Sequence, residues 1–195
     1  MPATATKKKE RLRPDIVASF NSPNQSTRLP GPIDLIVIHS TEGHNRPGNE
    51  DLVGVGSWFM QTAAQASSHV CTDGDGHSAR FVPDEAKAWH VANFNSRSLG
   101  IEQIGLASEG LTTWKGREAQ IDETARWIAL WSIKFGIPIR KGIVNGSAGT
   151  VQRGGIVEHH WLGIEGGGHV DPGPYPFQEL LRKARRYKHL IRAAA

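Results

Sequence analysis

Histidines and one aspartate occupy positions in the sequence that suit a catalytic metal site. His39 ends an apolar run at residues 33–39, and His159 ends a shorter run at residues 156–159. Beyond a glycine-rich stretch, His169 and Asp171 stand two residues apart. Two imidazoles and one carboxylate form a ligand set of catalytic zinc sites, in which a fourth position stays open for water. A histidine at a strand end is also commonly a hydrogen-bonded structural residue, so spacing alone leaves both interpretations open.

A cysteine nucleophile is the other chemistry to weigh. Cys71 is the single cysteine, which excludes an intrachain disulfide and a cysteine-rich zinc finger. A reactive thiol requires a nearby histidine base, and His69 lies only two residues away. A lone cysteine is more often a small buried apolar residue, and we favour that interpretation for Cys71.

The candidate ligands fall at or beyond the ends of predicted strands. Short runs rich in β-branched residues predict buried strands, and a turn with two Asp-Gly pairs predicts a hairpin. These strands are residues 33–39, 69–72 with its hairpin partner 80–83, 99–104 and 156–159. The pattern of apolar residues predicts helices at residues 53–66 and 117–135, and a third that opens at Pro176. Strands that alternate with helices indicate an α/β layered domain.

Length and composition favour one soluble domain. The 195 residues suit a single domain, which we place at residues 31–192 behind a basic tail and irregular lead-in at residues 1–30. No run approaches the ~18 apolar residues that a membrane-spanning helix requires. The polar, basic N-terminus lacks the apolar segment of a secretory signal. The net charge of +4 comes from basic runs near both ends, which either attract polyanions or are simply solvated.

Six short blocks, in order along the chain, resemble the type-2 N-acetylmuramoyl-L-alanine amidases. The blocks are Val-Ile-His-Ser-Thr at 37–41, Ser-His-Val at 68–70, Ala-Trp-His at 88–90, Ser-Leu-Gly-Ile-Glu at 98–102, Glu-His at 158–159 and His-Val-Asp-Pro-Gly at 169–173. That family includes phage endolysins, bacterial muropeptide amidases and peptidoglycan recognition proteins. The resemblance covers residues 33–174 and implies a single α/β domain with a central mixed β-sheet flanked by helices.

The resemblance implies that zinc is the cofactor and that it is bound by three residues. These residues are His39, His159 and Asp171. His160 is the rival of His159 for the second imidazole position. We prefer His159, because the apolar Leu162 then stands three residues after the ligand, where the family has an apolar residue.

Two further residues take catalytic positions in the resemblance. Glu102 corresponds to the catalytic acid/base of the family. His169 stands where many members have a lysine, which polarises the scissile carbonyl. This departure matters, since an imidazole donates the same hydrogen bond but is charged only while its pKa stays high, and a nearby zinc ion lowers that pKa.

Candidate substrate contacts surround these groups. The predicted substrate-binding residues are His69, Trp89, His90, Asn95 and Arg97. For His69 and Trp89 a packing role competes with a substrate role, and Asn95 and Arg97 also suit a solvated loop. The remaining tryptophans divide into predicted core residues (Trp58, Trp127 and Trp131) and candidates for stacking on sugar (Trp114 and Trp161).

The function implied is that of a zinc amidase that degrades the bacterial cell wall. We expect a phage endolysin that hydrolyses the amide between N-acetylmuramic acid and L-alanine of the peptidoglycan stem peptide. The alternative is a non-catalytic peptidoglycan-binding module of the same fold. We expect a monomer that binds no nucleic acid, because no helix-turn-helix or basic-aromatic strand motif is present. We also expect synthesis in the host cytoplasm and action on the wall after release.

Overall fold

A six-stranded β-sheet forms the centre of the molecule, which is described here for residues 11–195 by a computed structural model. In spatial order the strands are β1 (Ile16–Ser19), β5 (Ser78–Arg80), β4 (Val70–Thr72), β7 (Ser98–Gln103), β3 (Leu35–Ile38) and β10 (Gly155–Glu158). Strands β4 and β5 pair antiparallel, whereas the other neighbours run parallel. The sheet is therefore mixed, as the sequence resemblance implies.

Smaller elements surround this sheet. Two ribbons pair β2 (Gln25–Ser26) with β6 (Lys87–Ala88), and β8 (Ile143–Asn145) with β9 (Thr150–Arg153). The helices are α1 (Glu50–Phe59), α2 (Leu111–Gly116), α3 (Glu118–Lys134) and α4 (Phe177–Ala193). No helix within residues 11–195 combines the length and the apolar character needed to cross a bilayer.

Three adjacent parallel strands, β10, β3 and β7, are in register at their carboxyl ends. Ile38 of β3 pairs with Glu158 of β10 on one side and with Ile101 of β7 on the other. The residue after each of these therefore lies in one row across the sheet. From β10 to β7, the row consists of His159, His39 and Glu102.

The two faces of the sheet are covered by different elements. Ile36 and Ile38 belong to the core that includes the buried residues of α3 and α4. Leu35 and Val37 belong to a second core on the opposite face. Because side chains alternate along a strand, His39 points to the face of Leu35 and Val37, away from α3 and α4. The row of polar residues thus opens on the side that the two long helices leave uncovered.

The helix predicted at residues 117–135 is observed as α3, with its ends within one residue of the expectation. Its apolar positions, such as Ile121, Ala125 and Ile128, are buried against the sheet. Gly136 adopts a φ of +71°, a left-handed conformation that favours glycine directly after a helix. The sequence signals for both the body and the end of this helix are therefore sound.

The irregular lead-in predicted before residue 31 contains regular structure. Residues Ile16–Ser19 form edge strand β1, which pairs with β5. The backbone N–H of Ser78 donates to the carbonyl oxygen of Asp15 at 2.7 Å, and the backbone N–H of Asp15 donates to Glu123 at 2.6 Å. Hydrogen bonds from distant residues, rather than an apolar pattern of its own, hold this strand. The basic run at residues 7–9 lies outside the described residues.

Candidate metal centre and cleft

The carboxyl end of the sheet brings two imidazoles and a carboxylate together. Ligand atoms of His39, His159 and Asp171 all lie within 4.8 Å of one another, and the three residues are buried. Nδ1 of His39 lies 3.2 Å from Oδ2 of Asp171, and Nδ1 of His159 lies 3.0 Å from Oδ1. Their types match the ligand set of a catalytic zinc site with one open position.

The loop before α4 carries Asp171 to the two histidines. The backbone N–H of His160 donates to the carbonyl oxygen of Asp171 at 3.1 Å, and the backbone N–H of Ser40 reaches Oδ2 at 3.4 Å. The His160 side chain is exposed, with Nδ1 at 3.3 Å from the same carbonyl oxygen. His159 therefore faces His39, while His160 fixes the backbone of the aspartate loop.

The donor set fits a cation. Nε2 of His159 lies 2.9 Å from the carbonyl oxygen of Gly166, which only accepts, so Nε2 carries the ring hydrogen. In the neutral ring, Nδ1 then presents a lone pair to the carboxylate of Asp171, and two electron-pair donors face each other. A positive ion between them removes this repulsion, and imidazole with carboxylate suits zinc.

His39 and Asp171 both have shifted pKa values, and each is in the protonation state that binds a metal ion. Burial, together with the neighbouring His159, lowers the pKa of His39 to about 4, so that this ring is neutral at pH 7. Against the effect of burial, the pKa of Asp171 lies below its usual range, so that this group is a carboxylate at pH 7. A neutral imidazole and an ionised carboxylate are what a metal ion requires.

Glu102 shares the cleft with this group. Its Oε2 is buried and has no hydrogen-bond partner within residues 11–195. Burial, and then the charge of Asp171, raise the pKa of Glu102 well above its usual value. A buried carboxyl group with a perturbed pKa, set beside a metal site, is suited to general acid–base chemistry.

His169 lies at the mouth of the site. Its ring stacks on that of His159, with centroids 4.6 Å apart and planes 17° from parallel. Its side chain is 63% exposed, and Nδ1 lies 3.8 Å from Oδ1 of Asp171. The exposed ring is thus available to a bound molecule beside the metal ligands.

A cleft of about 490 Å³ opens over these groups. His39, Glu102 and Asp171 line it at the sheet, and Val55 and Trp58 of α1 line its far wall. The cleft therefore joins a polar, reactive end to an apolar wall. This is the usual composition of a binding site for an organic ligand.

Three of the five predicted substrate-binding residues line this cleft, and two do not. Trp89, His90 and Asn95 belong to its walls, whereas His69 and Arg97 are not among the residues around it. The indole Nε1–H of Trp89 donates to Ser26 at 3.0 Å, which fixes the ring. Contact of any of the five with substrate stays a prediction.

His69 and Arg97 are engaged in the protein. Nδ1 of the fully buried His69 accepts the backbone N–H of Gly100 at 2.9 Å, and Nε2 lies 3.2 Å from the carbonyl oxygen of Ala86. Burial, and then the nearby Arg28, lower the pKa of His69 to about 3. Arg97 forms an ion pair with Asp34 at 2.6 Å. These partners give both residues a structural role.

The tryptophans correct two expectations. Trp58, predicted to lie in the core, is 49% exposed in the cleft wall, because the buried stripe of α1 runs through Leu52, Gly56 and Phe59. That stripe is visible in the sequence and excludes Trp58. Trp114, predicted to stack on sugar, is fully buried, with its ring 5.3 Å from that of Tyr175. Trp127 and Trp131 are buried, as predicted, and Trp161 is partly buried against Phe177.

One further residue of the cleft went unrecognised in the sequence. Glu42 lines the cleft, and its Oε1 accepts hydrogen bonds from the Ser40 hydroxyl at 2.7 Å and from the backbone N–H of Ala107 at 2.9 Å. Glu42 thus ties the segment after β3 to the segment after β7. Its position in a polar loop offered no signal for this contact.

The fold and this cluster define an α/β domain with a candidate metal site, and comparison with known proteins gives the family. The family model described as N-acetylmuramoyl-L-alanine amidase matches residues 29–174, a range that includes the three candidate ligands. The chain therefore belongs to the N-acetylmuramoyl-L-alanine amidase family.

Individual proteins agree with this assignment. N-acetylmuramoyl-L-alanine amidase A of Achromobacter lyticus is 30% identical over 92 residues, which are 47% of this chain and 46% of that protein. The chain thus matches about half the length of this relative.

Solved structures share the fold at low sequence identity. The Staphylococcus aureus hydrolase AmiA, solved in complex with its ligand, superposes with a TM-score of 0.66 at 19% identity, over 93% of this chain and 86% of that chain. The endolysin amidase LysCS of Clostridium intestinale gives a TM-score of 0.58 at 20% identity, over 89% and 97%. At this level of sequence identity, both matches show a shared fold.

Proposed function

We propose that the chain is a zinc-dependent amidase that cleaves the bond between N-acetylmuramic acid and the L-alanine of the peptidoglycan stem peptide. The observation that carries this proposal is the row of His159, His39 and Glu102 at the ends of three paired strands, with Asp171 completing the ligand set. Family membership supports the class of bond, and the row supplies the groups that metal-assisted hydrolysis needs.

Three residues would hold the metal ion, and His169 acts directly on the substrate carbonyl. His39, His159 and Asp171 hold the ion in this proposal. A bound zinc ion supplies a Lewis acid that activates water and polarises a carbonyl oxygen. His169, with its exposed ring beside the ligands, donates a hydrogen bond to the same carbonyl oxygen as negative charge develops there.

Glu102 moves the protons. As a carboxylate, it accepts a proton from the attacking water while the water oxygen adds to the lactyl carbonyl carbon. The carbon–nitrogen bond then breaks, and Glu102 passes the proton to the leaving amine of L-alanine. Burial favours the protonated form of this residue, whereas a nearby cation favours the carboxylate. These opposing influences suit a group that must first take up and then release a proton.

The walls of the cleft suit a glycopeptide. Trp58 and Trp89 both line the cleft and give it aromatic surface on which sugar or peptide groups can stack. Val55 and Phe59 extend the apolar wall on the α1 side. We therefore place the stem peptide and its attached sugar across the cleft, with the scissile carbonyl over the row.

Digestion of purified peptidoglycan tests the proposal. Mass spectrometry should detect free stem peptides that begin with L-alanine, and a chelator should abolish them until zinc is restored. Glu102→Gln, which keeps the size of the side chain but cannot accept the proton, should keep zinc and lose activity by ~100-fold or more. Wall binding without any released peptide would instead favour the non-catalytic binding module.

We further propose that the enzyme acts as a monomeric endolysin, made in the host cytoplasm and active on the wall after release. The fold shared with the LysCS endolysin amidase supports this role. Expression in a bacterial host should cause lysis only when a separate protein opens the cytoplasmic membrane. Lysis without that protein, or no lysis with it, contradicts the proposed route.

A further inference from the structure

A chain of hydrogen bonds leads from a backbone carbonyl to the metal ligand His39. The hydroxyl oxygen of Ser98 lies 2.9 Å from the carbonyl oxygen of Phe94 and 3.1 Å from Nε2 of His90. Nδ1 of His90 lies 3.0 Å from Nε2 of His39. These bonds connect four groups, three of them within residues 90–98, and the last group is the candidate metal ligand His39.

The first hydrogen bond fixes which atom donates and which accepts in each of the following hydrogen bonds. A carbonyl oxygen only accepts, so the hydroxyl hydrogen of Ser98 points to Phe94. The Ser98 oxygen must then accept the hydrogen on Nε2 of His90. If His90 is neutral, its Nδ1 carries no hydrogen and accepts the one on Nε2 of His39.

The surroundings of His90 offer no counter-charge for a second ring hydrogen. No carboxylate contacts this ring within residues 11–195, and its aromatic neighbours are the imidazoles of His39 and His69, with centroids 5.2 and 5.6 Å away. A second ring hydrogen would put an unpaired charge on a partly buried ring beside two other imidazoles, which is costly. The donor–acceptor direction that Ser98 sets therefore extends to His39, whose Nε2–H donates to Nδ1 of His90.

The consequence lies at the metal site. With its ring hydrogen on Nε2, His39 keeps a lone pair on Nδ1, which faces Asp171 at 3.2 Å. We propose that His90 is a positioning residue: Ser98 orients it, and it holds His39 in the tautomer and ring orientation that bind the metal. This inference rests on the zinc site of the proposed function.

The backbone around His90 is arranged to hold its ring in place. The side-chain oxygen of Asn95 accepts the backbone N–H groups of His90 at 2.9 Å and Val91 at 2.7 Å. A Cβ added at Gly100 would lie 2.6 Å from Nδ1 of His90, so only glycine leaves room for the ring. Asn95 and His90, both predicted to bind substrate, thus support a metal ligand.

Zinc affinity, measured on the full chain by competition with a chromogenic chelator, tests the proposal. His90→Phe keeps a ring but removes the acceptor, and we expect zinc affinity to fall by ~10- to 100-fold. His90→Asn places an oxygen near the position of Nδ1 and should recover most of the affinity. Ser98→Ala should weaken binding less than His90→Phe.

Ser68→Ala is the matched control. Ser68 is as buried as Ser98 and lies in the same region, but its hydroxyl bonds to the carbonyl oxygen of Val70 at 3.4 Å instead of to His90. Zinc affinity should be unchanged in this variant. Equal losses in Ser68→Ala and Ser98→Ala would overturn the proposal, because they would reveal a general packing effect.

Nitrogen-15 NMR of the histidine rings in the metal-free chain gives an independent readout. His39 should show its hydrogen on Nε2 in the wild type and a mixture of tautomers in Ser98→Ala. A wild-type hydrogen on Nδ1, or a folded His90→Phe variant with wild-type zinc affinity, would overturn the proposal. If the wild type binds no zinc, the proposed function fails, while the tautomer of His39 still decides the direction of the hydrogen-bond chain.

Discussion

The two imidazoles of the candidate metal centre are held in place by different kinds of hydrogen bond. Nε2 of His39 is 3.0 Å from the side chain of His90, whereas Nε2 of His159 is 2.9 Å from the backbone carbonyl of Gly166. Both arrangements turn Nδ1 towards Asp171. A side-chain anchor is removed by one substitution, but a carbonyl is displaced only when the backbone moves. The comparison shows one ligand that depends on a neighbouring side chain and one that depends on the shape of a turn.

The largest effect on both ligands is expected from Asp171→Ala. This change removes the carboxylate that both imidazoles face, and with it the negative charge that attracts a cation. We expect no stoichiometric zinc after gel filtration, as measured by elemental mass spectrometry, and no peptidoglycan cleavage. Asp75→Ala, outside the cleft, should retain zinc. Full zinc occupancy in Asp171→Ala would remove this residue from the ligand set.

A smaller effect, confined to the His159 side, is expected from Gly166→Ala. The added Cβ would lie 2.4 Å from Cβ of Leu162, so the turn must shift and carry the Gly166 carbonyl away from His159. We expect zinc affinity to fall by up to ~10-fold and the free energy of unfolding to fall by ~1–3 kcal/mol. Chelator competition and urea unfolding measure the two effects.

Gly110→Ala is the control for that substitution, because a Cβ at Gly110 meets no atom within 4 Å. It should leave both zinc affinity and stability close to those of the wild type. If Gly166→Ala also leaves zinc affinity unchanged, the carbonyl of Gly166 does not position His159, and the contrast between the two anchors is lost.

The smallest effect on zinc is expected from His69→Gln, because both ring nitrogens of His69 contact protein groups away from the cleft. Zinc affinity should be unchanged, whereas stability should depend on pH. The pKa of His69 is lowered from 6.5 to about 3 in the folded chain, so below pH 6.5 the unfolded chain gains a proton that the folded chain does not. Wild type should therefore lose ~1.4 kcal/mol per pH unit relative to the variant as pH falls from 6 to 4.

Urea unfolding of both proteins at pH 7, 6, 5 and 4 measures this difference. At pH 7 the variant should be the less stable protein, because the N–H of Gly100 loses its imidazole acceptor. The difference in free energy of unfolding between the two proteins should decrease as the pH falls. If this difference in free energy stays constant between pH 7 and pH 5, His69 is not buried in its neutral form.

The grouping of the three candidate ligands was predictable because local pattern and motif agree at these residues. His39 and His159 each end an apolar run that forms a buried strand, and Asp171 lies in a block typical of the amidases. The role of His90 was not predictable from its block. It depends on Ser98, whose hydroxyl direction is set by the Phe94 carbonyl in a short 3₁₀ turn, and no pattern in the sequence reports that contact.

The fold shows the same contrast between elements with a local sequence signal and elements that depend on distant contacts. Helix α3 shows helical periodicity, strands β3, β4 and β7 lie in short apolar runs, and all four were predicted near their observed positions. Strand β1 was missed, because Ile16 and Val17 are exposed and the strand is fixed by distant partners such as Ser78 and Glu123. Elements that exist through tertiary hydrogen bonds leave little local signal.

The pairing of Ile38 with both Glu158 and Ile101 has a consequence for how this enzyme tolerates change. The spacing between the groups that follow these residues is set by inter-strand hydrogen bonds and not by the length of the connecting segments. Insertions in the surface loops between β3, β7 and β10 should therefore leave that spacing intact. A single-residue slip of one strand, in contrast, would turn its side chain to the opposite face of the sheet.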